Sequence, residues 1–274
     1  MLTNQQLNEI EELQKECEAE DLIQLKLNWS MLRNPSDEEM GHLYHYEDGR
    51  LVGFLGVYRF GNKAELCGMV KPSYRRKGIF SKLFSKVNTL IETQKFTEVL
   101  LNAPSNSHTA KGFLQNVSCN YSISEYQMQW EETKLVGDGT VTLRPSTEKD
   151  FEDEVQLDVQ CFGLNEDDAR KYRSQGRRAD EQEYFMIEKD NKTVGKIRVS
   201  HSNGEAWIYG FAIFPEYQGK GIGRNVLANV IIKENQEGYP IFLEVEAKNA
   251  HALRLYESCG FRAYHSQDYY EYKR

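Results

Sequence analysis

No stretch of this sequence holds the ~18 consecutive apolar residues that a membrane-spanning helix requires, which argues against a helical membrane protein. Its five cysteines, at 17, 67, 119, 161 and 259, include no Cys-x-x-Cys pair. Neither they nor the six histidines fall at paired ligand spacing, so no metal is expected. An odd number of scattered thiols points to reduced, packed side chains. The start, Met1-Leu-Thr-Asn-Gln-Gln-Leu-Asn-Glu-Ile-Glu-Glu, lacks the apolar core of a secretion signal, and a cytoplasmic location is the expectation. Positive charge is in deficit: 34 Lys and Arg face 42 Asp and Glu, a formal net charge of −8. Nucleic acid would be repelled, and no basic cluster offsets this.

What is present is a soluble globular balance, 39% hydrophobic and 28% charged over 274 residues, enough for one large domain or two ordinary ones. Leu7, Ile10, Leu13 and Cys17 lie at helical spacing, whereas Leu22 to Trp29 fits a short strand or a second helix. Leu43–Tyr46, Asp48-Gly49 and Leu51–Tyr58 predict a hairpin, and Ala64–Val70 continues the sheet. Pro72–Ile79 then leads into Phe80, Leu83, Phe84, Val87 and Leu90, the spacing of a helix face.

The same strand–loop–helix unit recurs. Ala206–Phe214 is aromatic and β-branched, Tyr217-Gln-Gly-Lys-Gly-Ile-Gly-Arg224 follows, and Val226, Leu227, Val230 and Ile231 mark a helix face. Pro72, Tyr74, Arg75 and Gly78 match Pro215, Tyr217, Gln218 and Gly221 at an offset of 143. Ser105-Asn106 and Phe113 match Lys248-Asn249 and Tyr256 at that same offset. Asp48–Gly53 matches Asp190–Gly195 at 142, which suggests a one-residue change in a loop. A period this long indicates a duplicated domain. Residues 1–136 form the first copy, 139–274 the second, and Val136-Gly-Asp-Gly139 the flexible join. Thr140–Pro145 opens the second copy as a strand, with Ser146 or Thr147 as the following helix cap. The first copy has no counterpart of that strand, so its sheet is one strand short or completed by the other half.

A strand feeding a glycine-rich turn that opens a helix leaves backbone N–H groups at the positive end of a helix dipole, suited to phosphate. Neither the Walker nor the dinucleotide spacing is met. Gln218-x-x-Gly221-x-Gly223 instead resembles the coenzyme A loop of the GCN5-related N-acetyltransferases (GNAT). Leu243-Glu-Val-Glu-Ala-Lys-Asn-Ala-His-Ala-Leu-Arg-Leu-Tyr-Glu-Ser-Cys-Gly-Phe261 is similar to that family's last motif block. The resemblance implies two tandem α/β (α+β) domains, each a mixed, mostly antiparallel sheet flanked by helices.

It also implies acetyl transfer from acetyl-coenzyme A to a primary amine, the acceptor being a small molecule or a peptide. Ile213, Gln218, Gly219, Lys220, Gly221, Ile222, Gly223, Arg224, Asn249 and Tyr256 would then bind the coenzyme. Tyr256 is the implied general acid, and Glu244 and Glu205 are competing candidates for the base. An amine of pKa ~10.4 needs its proton removed and a departing thiolate needs one, so a carboxylate and a phenol are apt. The strand 206–214 should splay from 241–247, with Tyr209-Gly210 as the site of a bulge. In the first copy Phe80, Phe113 and Leu101 replace Gly223, Tyr256 and Glu244, so that copy is expected to keep the fold without the chemistry. The alternative is a non-catalytic acyl-coenzyme A binder or scaffold. Neither membrane nor nucleic acid is an expected partner, and the chain is expected to be a monomer or homodimer.

Overall fold

The computed structural model describes residues 2–33, 41–60, 62–94, 96–176, 182–202 and 204–273. They form two compact units, one of residues 1–124 with 265–274, the other of residues 125–264.

In the first unit Thr3 and Gln6 make a reciprocal capping box at the start of α1 (Asn4–Asp21), which buries Ile10, Leu13 and Cys17. Residues 22–28 form neither of the expected elements, and a short α2 (Trp29–Arg33) follows. The hairpin β1 (Leu43–Glu47) and β2 (Arg50–Phe60) turns through Asp48 and Gly49, both at positive φ, the backbone a tight two-residue hairpin demands. β3 (Lys63–Val70) pairs with β2 without interruption from Phe60↔Lys63 to Gly53↔Val70. α3 (Ile79–Gln94), β4 (Glu98–Pro104) and α4 (His108–Leu114) complete the repeat. Leu83, Val87, Ile91 and Leu101 pack on one face of the sheet, and Ile10, Leu13, Phe54 and Tyr58 on the other.

The repeat ends in β5 (Cys119–Trp130), of which residues from 125 onward belong to the second unit. That unit adds an opening strand, β6 (Thr142–Pro145), for which the first has no counterpart among the described residues. α5 (Phe151–Phe162), α6 (Glu166–Gly176), β7 (Gln182–Lys189), β8 (Lys192–Ser202) and β9 (Glu205–Ile213) follow. Next come α7 (Ile222–Gln236), β10 (Ile241–Glu246), α8 (Ala250–Ser258) and β11 (Phe261–Tyr272). Residues from 265 onward in β11 belong to the first unit, where Gln267–Glu271 pair with β4. Conversely, Glu125–Gln129 of β5 pair with β10 in the second unit. Each repeat therefore gives the outer part of its last strand to the other unit.

The pairing also relocates the one-residue difference between repeats. Along β8 and β9, Lys196 faces Ala212 and Arg198 faces Tyr209, so Ile197 alone stands opposite Gly210 and Phe211. This is a β-bulge, with Gly210 at φ +56°. The extra residue is in a strand, not in a loop. β2 and β3 have no such bulge. A second, opposite change follows α3 and α7, because Leu66↔Leu101 and Ile208↔Leu243 are the corresponding parallel pairs. Beyond that point the offset is 142. The structural counterpart of Glu244 is therefore Asn102, not Leu101. Counted from the helix caps Ser107 and Asn249, the counterpart of Tyr256 is Leu114, not Phe113.

Candidate functional site

β9 ends in a short 3-10 turn, Pro215–Tyr217, and Gln218–Gly221 lead straight into α7. Gly219 and Gly221 sit at φ +71° and +77°, and a Cβ at either would meet nothing within 4 Å. Their glycines serve backbone handedness and leave the space above the loop open. Among the described residues no side chain caps α7, so its first-turn N–H groups face that space. Gly223 differs, because a Cβ there would lie 3.0 Å from Leu255, making it a packing glycine between α7 and α8.

The loop side chains look inward. Gln218 Nε2 donates to the Ile213 carbonyl at 2.8 Å, and Arg75 Nε makes the matching bond to Val70 at 2.9 Å. The first residue of the motif thus latches loop to strand in both repeats. Lys220 donates to the Glu216 carbonyl at 2.7 Å and lies over the Tyr217 ring. Arg224 reaches Ser258 at 3.4 Å, and Ile222 is buried in the core. Of the expected contacts, the loop has backbone to offer more than side chains.

Pairing between β9 and β10 runs from Ile241↔Ala206 to Leu243↔Ile208 and goes no further. The bulge at Gly210 begins two residues on, and the two strands part there. Glu244 is the first residue of β10 past the last paired position. It accepts from Gln127 Nε2 of β5 at 3.0 Å, directly across the ladder. Glu205 is four residues back along β9 from Tyr209, or ~13 Å at ~3.3 Å per residue, and accepts from the Trp207 indole at 2.8 Å. Trp207 stacks on Phe242 and lies near Tyr209, which places Glu244 on the same face by strand alternation. Tyr264 lies beside this row. Burial, then the carboxylates of Glu205 and Glu244, push its phenol above the ordinary range.

Tyr256 lies on the opposite face, in the α7–α8 core, and burial pushes its phenol up to about 12. Asn249 caps α8 by accepting from the Ala252 N–H at 3.1 Å. The acidic run 165–168 is a helix start: Asn165 accepts from the Asp168 N–H, and Glu166 shares Arg170 with Glu152.

Sequence reasoning missed Gln127, Tyr264 and a polar group beneath the bulge. Asp158 of α5 is bound by both Arg173 of α6 and Lys196 of β8. Lys196 and Arg198 stand two apart on one face of β8, alternating with Gly195, Ile197 and Val199, a signal that alternation could have flagged. Among the described residues, His201, Glu234 and Glu237 gather closely enough to hold an ion. Lys233 Nζ already stands 3.2 Å from Glu234 and 3.7 Å from Glu237, which supplies the charge an ion would bring.

The first unit keeps the loop backbone: Gly78 has φ +77°, and Arg76 takes the left-handed position of Gly219 at φ +62°. Phe80 fills the place of Gly223 and packs edge-on against Phe113, the counterpart of Leu255. Arg75 is held by Asp21 at 2.7 Å. This unit contains a cavity of about 860 Å³ lined by the loop, α3, α4 and Asn102. Asn102 is 8% exposed, and among the described residues neither of its amide atoms has a hydrogen-bond partner.

The profile of the acetyltransferase (GNAT) family matches this chain twice, over residues 5–116 and 148–261. The [ribosomal protein bS18]-alanine N-acetyltransferase of Escherichia coli K12 is 43% identical over 58 residues, 21% of this chain and 39% of that protein. The spermine/spermidine N(1)-acetyltransferase of Bacillus subtilis 168 is 38% identical over 64 residues, 23% of this chain and 42% of that protein. The matched stretch thus spans about two fifths of these relatives. A GCN5-related N-acetyltransferase from Sphaerobacter thermophilus superposes with a TM-score of 0.78 over 96% of this chain and 91% of its own, at 17% identity, a likeness of fold. With a glycine loop, a splayed strand pair and two profile matches that together span most of its length, this chain belongs to the acetyltransferase (GNAT) family.

Proposed function

We propose that the second unit transfers an acetyl group from acetyl-coenzyme A to a primary amine. The observation that carries this reading is the bulge at Gly210, where β9 leaves β10 immediately past Ile208↔Leu243. The parted strand edges offer backbone groups for the amides of a pantetheine arm and for a thioester carbonyl. Gly219 and Gly221 leave room for the pyrophosphate at the start of α7. The coenzyme supplies an activated acyl group, and positioning it against the amine is the larger share of catalysis.

Glu244 is the better placed base. It stands at the point of parting and is oriented by Gln127, whereas Glu205 lies ~13 Å back along the strand and holds the Trp207 indole. Tyr256 is the proton donor of the reading, with a qualification. A phenol at about 12 is a weaker acid than a thiol of ~8.5, so it is suited to hydrogen-bond the departing sulfur rather than to surrender its proton outright. The first unit, with Asn102 and Leu114 at the two chemical positions and no bulge, is a unit without turnover.

Thiol release from acetyl-coenzyme A by the full chain, over a broad panel of amines, tests the reading. Glu244→Gln should lower kcat by about 10²–10³ and leave coenzyme binding unchanged. Calorimetric coenzyme binding with no thiol release from any amine would instead favour the second reading, a non-catalytic acyl-coenzyme A binder. The cavity of the first unit is the observation on its side.

A further inference from the structure

In the first unit β3 and β4 pair as far as Leu66↔Leu101 and then part. The cavity of about 860 Å³ runs through that parting, and its size is that of a site for a drug-sized ligand, ~300–1,000 Å³. Cys17, Ile23 and Leu25 line it on the α1 face of the sheet, and Phe84, Phe113 and Leu114 on the α3 face. Its charged lining residues are Asp21, Arg75 and Arg76. The first two bind each other at 2.7 Å, and Arg76 is exposed on the loop. The strand residues that line the parting carry no charge.

Asn102 is the polar side chain among them. Leu101 and Ala103 belong to the core under α3, so strand alternation turns Asn102 to the α1 face, where Ile23, Leu25 and Met69 line the cavity. It is buried, and among the described residues neither Oδ1 nor Nδ2 has a hydrogen-bond partner. On the other face Asn88 Oδ1 of α3, also buried and without a partner among the described residues, belongs to a residue of the same lining. Folded chains seldom leave a buried amide unbonded, because burial strips it of water and returns nothing.

The atoms that lack partners define their complement. Asn102 presents an acceptor and a donor on one edge. A carboxylate only accepts and an ammonium only donates, so either would leave one Asn102 atom unbonded and would itself be buried beside no opposite charge. A primary amide or a lactam has a donor and an acceptor side by side, satisfies both atoms and brings no charge. The apolar lining on both faces suits a ligand whose remainder is aliphatic or aromatic.

We propose that the first unit holds a ligand of its own, an uncharged and largely apolar molecule whose primary-amide or lactam group pairs with Asn102 in the parting of β3 and β4. Binding here does not depend on turnover in the second unit.

The probes are 4-phenylbutanamide, with 4-phenylbutanoate and 4-phenylbutylamine as mates of the same tail, and caprolactam, with N-methylcaprolactam as the mate that lacks the donor. Each is titrated calorimetrically into the full chain and into Asn102→Leu, and only binding lost in that variant is compared. The amide or the lactam should bind at least tenfold more tightly than its mates, and the one that does so names the source of the group. Asn102→Asp, which keeps the shape and removes the donor, should lose that binding as well. Asn102→Leu replaces two unbonded polar atoms by apolar ones of similar bulk, so the thermal midpoint of the ligand-free variant should equal or exceed that of wild type. A lower midpoint would make Asn102 a structural residue and overturn the proposal. So would amide and lactam binding that is absent or survives in Asn102→Leu, or a mate bound as tightly at the same site. Two coenzyme A sites in wild type and one in Asn102→Leu would give the cavity to the coenzyme, and that too overturns it.

Discussion

Tyr256 shows how burial sets what a side chain can do. Out of water its phenol stays protonated far above neutral pH, so it always has a hydrogen to offer, yet at about 12 it gives that proton up reluctantly. Tyr256→Phe keeps the ring in the α7–α8 core and removes only the hydroxyl. The expected result is a fall in kcat of about 10²-fold, nearer the low end for acid–base residues, with coenzyme affinity and thermal midpoint little changed. Turnover equal to wild type would leave the hydroxyl with no role in the reaction. Arg144 and Asp150 show the opposite case, a carboxylate held charged. Two short bonds from Arg144, with the Thr147 N–H and hydroxyl, keep the Asp150 carboxyl well below the usual range. A lowered folded pKa contributes stability at pH values above ~3.9 and loses it as pH falls below that value. Arg144→Met should therefore lower the thermal midpoint at pH 7, by the equivalent of about 1–3 kcal/mol, and the gap from wild type should narrow below pH ~4. A gap that stays constant down to pH 3 would detach the effect from Asp150.

At the scale of elements, the bulge in β9 is a backbone feature that separates the two repeats at the site. The Gly210 Cβ position is open, so the residue is needed for its handedness, not for space. Deleting Gly210 should restore the unbroken pairing seen between β2 and β3, although β9 and β10 would still part past Ile208↔Leu243 as β3 and β4 do past Leu66↔Leu101, and should weaken coenzyme binding to the second unit while the chain stays folded. Retained high-affinity binding, measured by calorimetry alongside an unchanged circular dichroism spectrum, would refute this.

The same element marks the limit of what the sequence alone discloses. The first hairpin, the glycine loop and the cap at Ser146 or Thr147 are local patterns, set by residues a few positions apart, and they were legible, as was the long-period repeat. The splay and its bulge at Tyr209-Gly210 followed from the resemblance. The residue-by-residue correspondence was not legible, because one insertion at the bulge and an opposite change after the next helix cancel. Asn106 opposite Asn249 and Phe113 opposite Tyr256 look chemically natural. Only strand pairing and cap positions show that Ser107 and Leu114 hold those places. Gln127 was invisible for a related reason: its partner Glu244 is 117 positions away, across a ladder no local pattern predicts.

At the scale of the molecule, the boundary between units follows pairing, not chain order. A fragment of residues 138–274 carries every glycine of the loop, Tyr256 and Glu244, but not Glu125–Gln129, which pair with β10. That fragment should expose an unpaired strand edge beside Glu244, associate in solution and lose activity. A fragment of residues 125–264 keeps both strands and should melt at the higher temperature. Light scattering and thermal midpoints of the two decide it, and equal stability would mean that the exchanged residues contribute nothing. The exchange has a genealogical consequence. A duplicated domain that has lost its chemistry is ordinarily free to be discarded, since nothing depends on it. On the function proposed above, the copy without turnover ends in the strand that orients the base of the other, so a lineage that deleted it would damage its own catalyst. The first copy could then drift only where it does not hold up its twin.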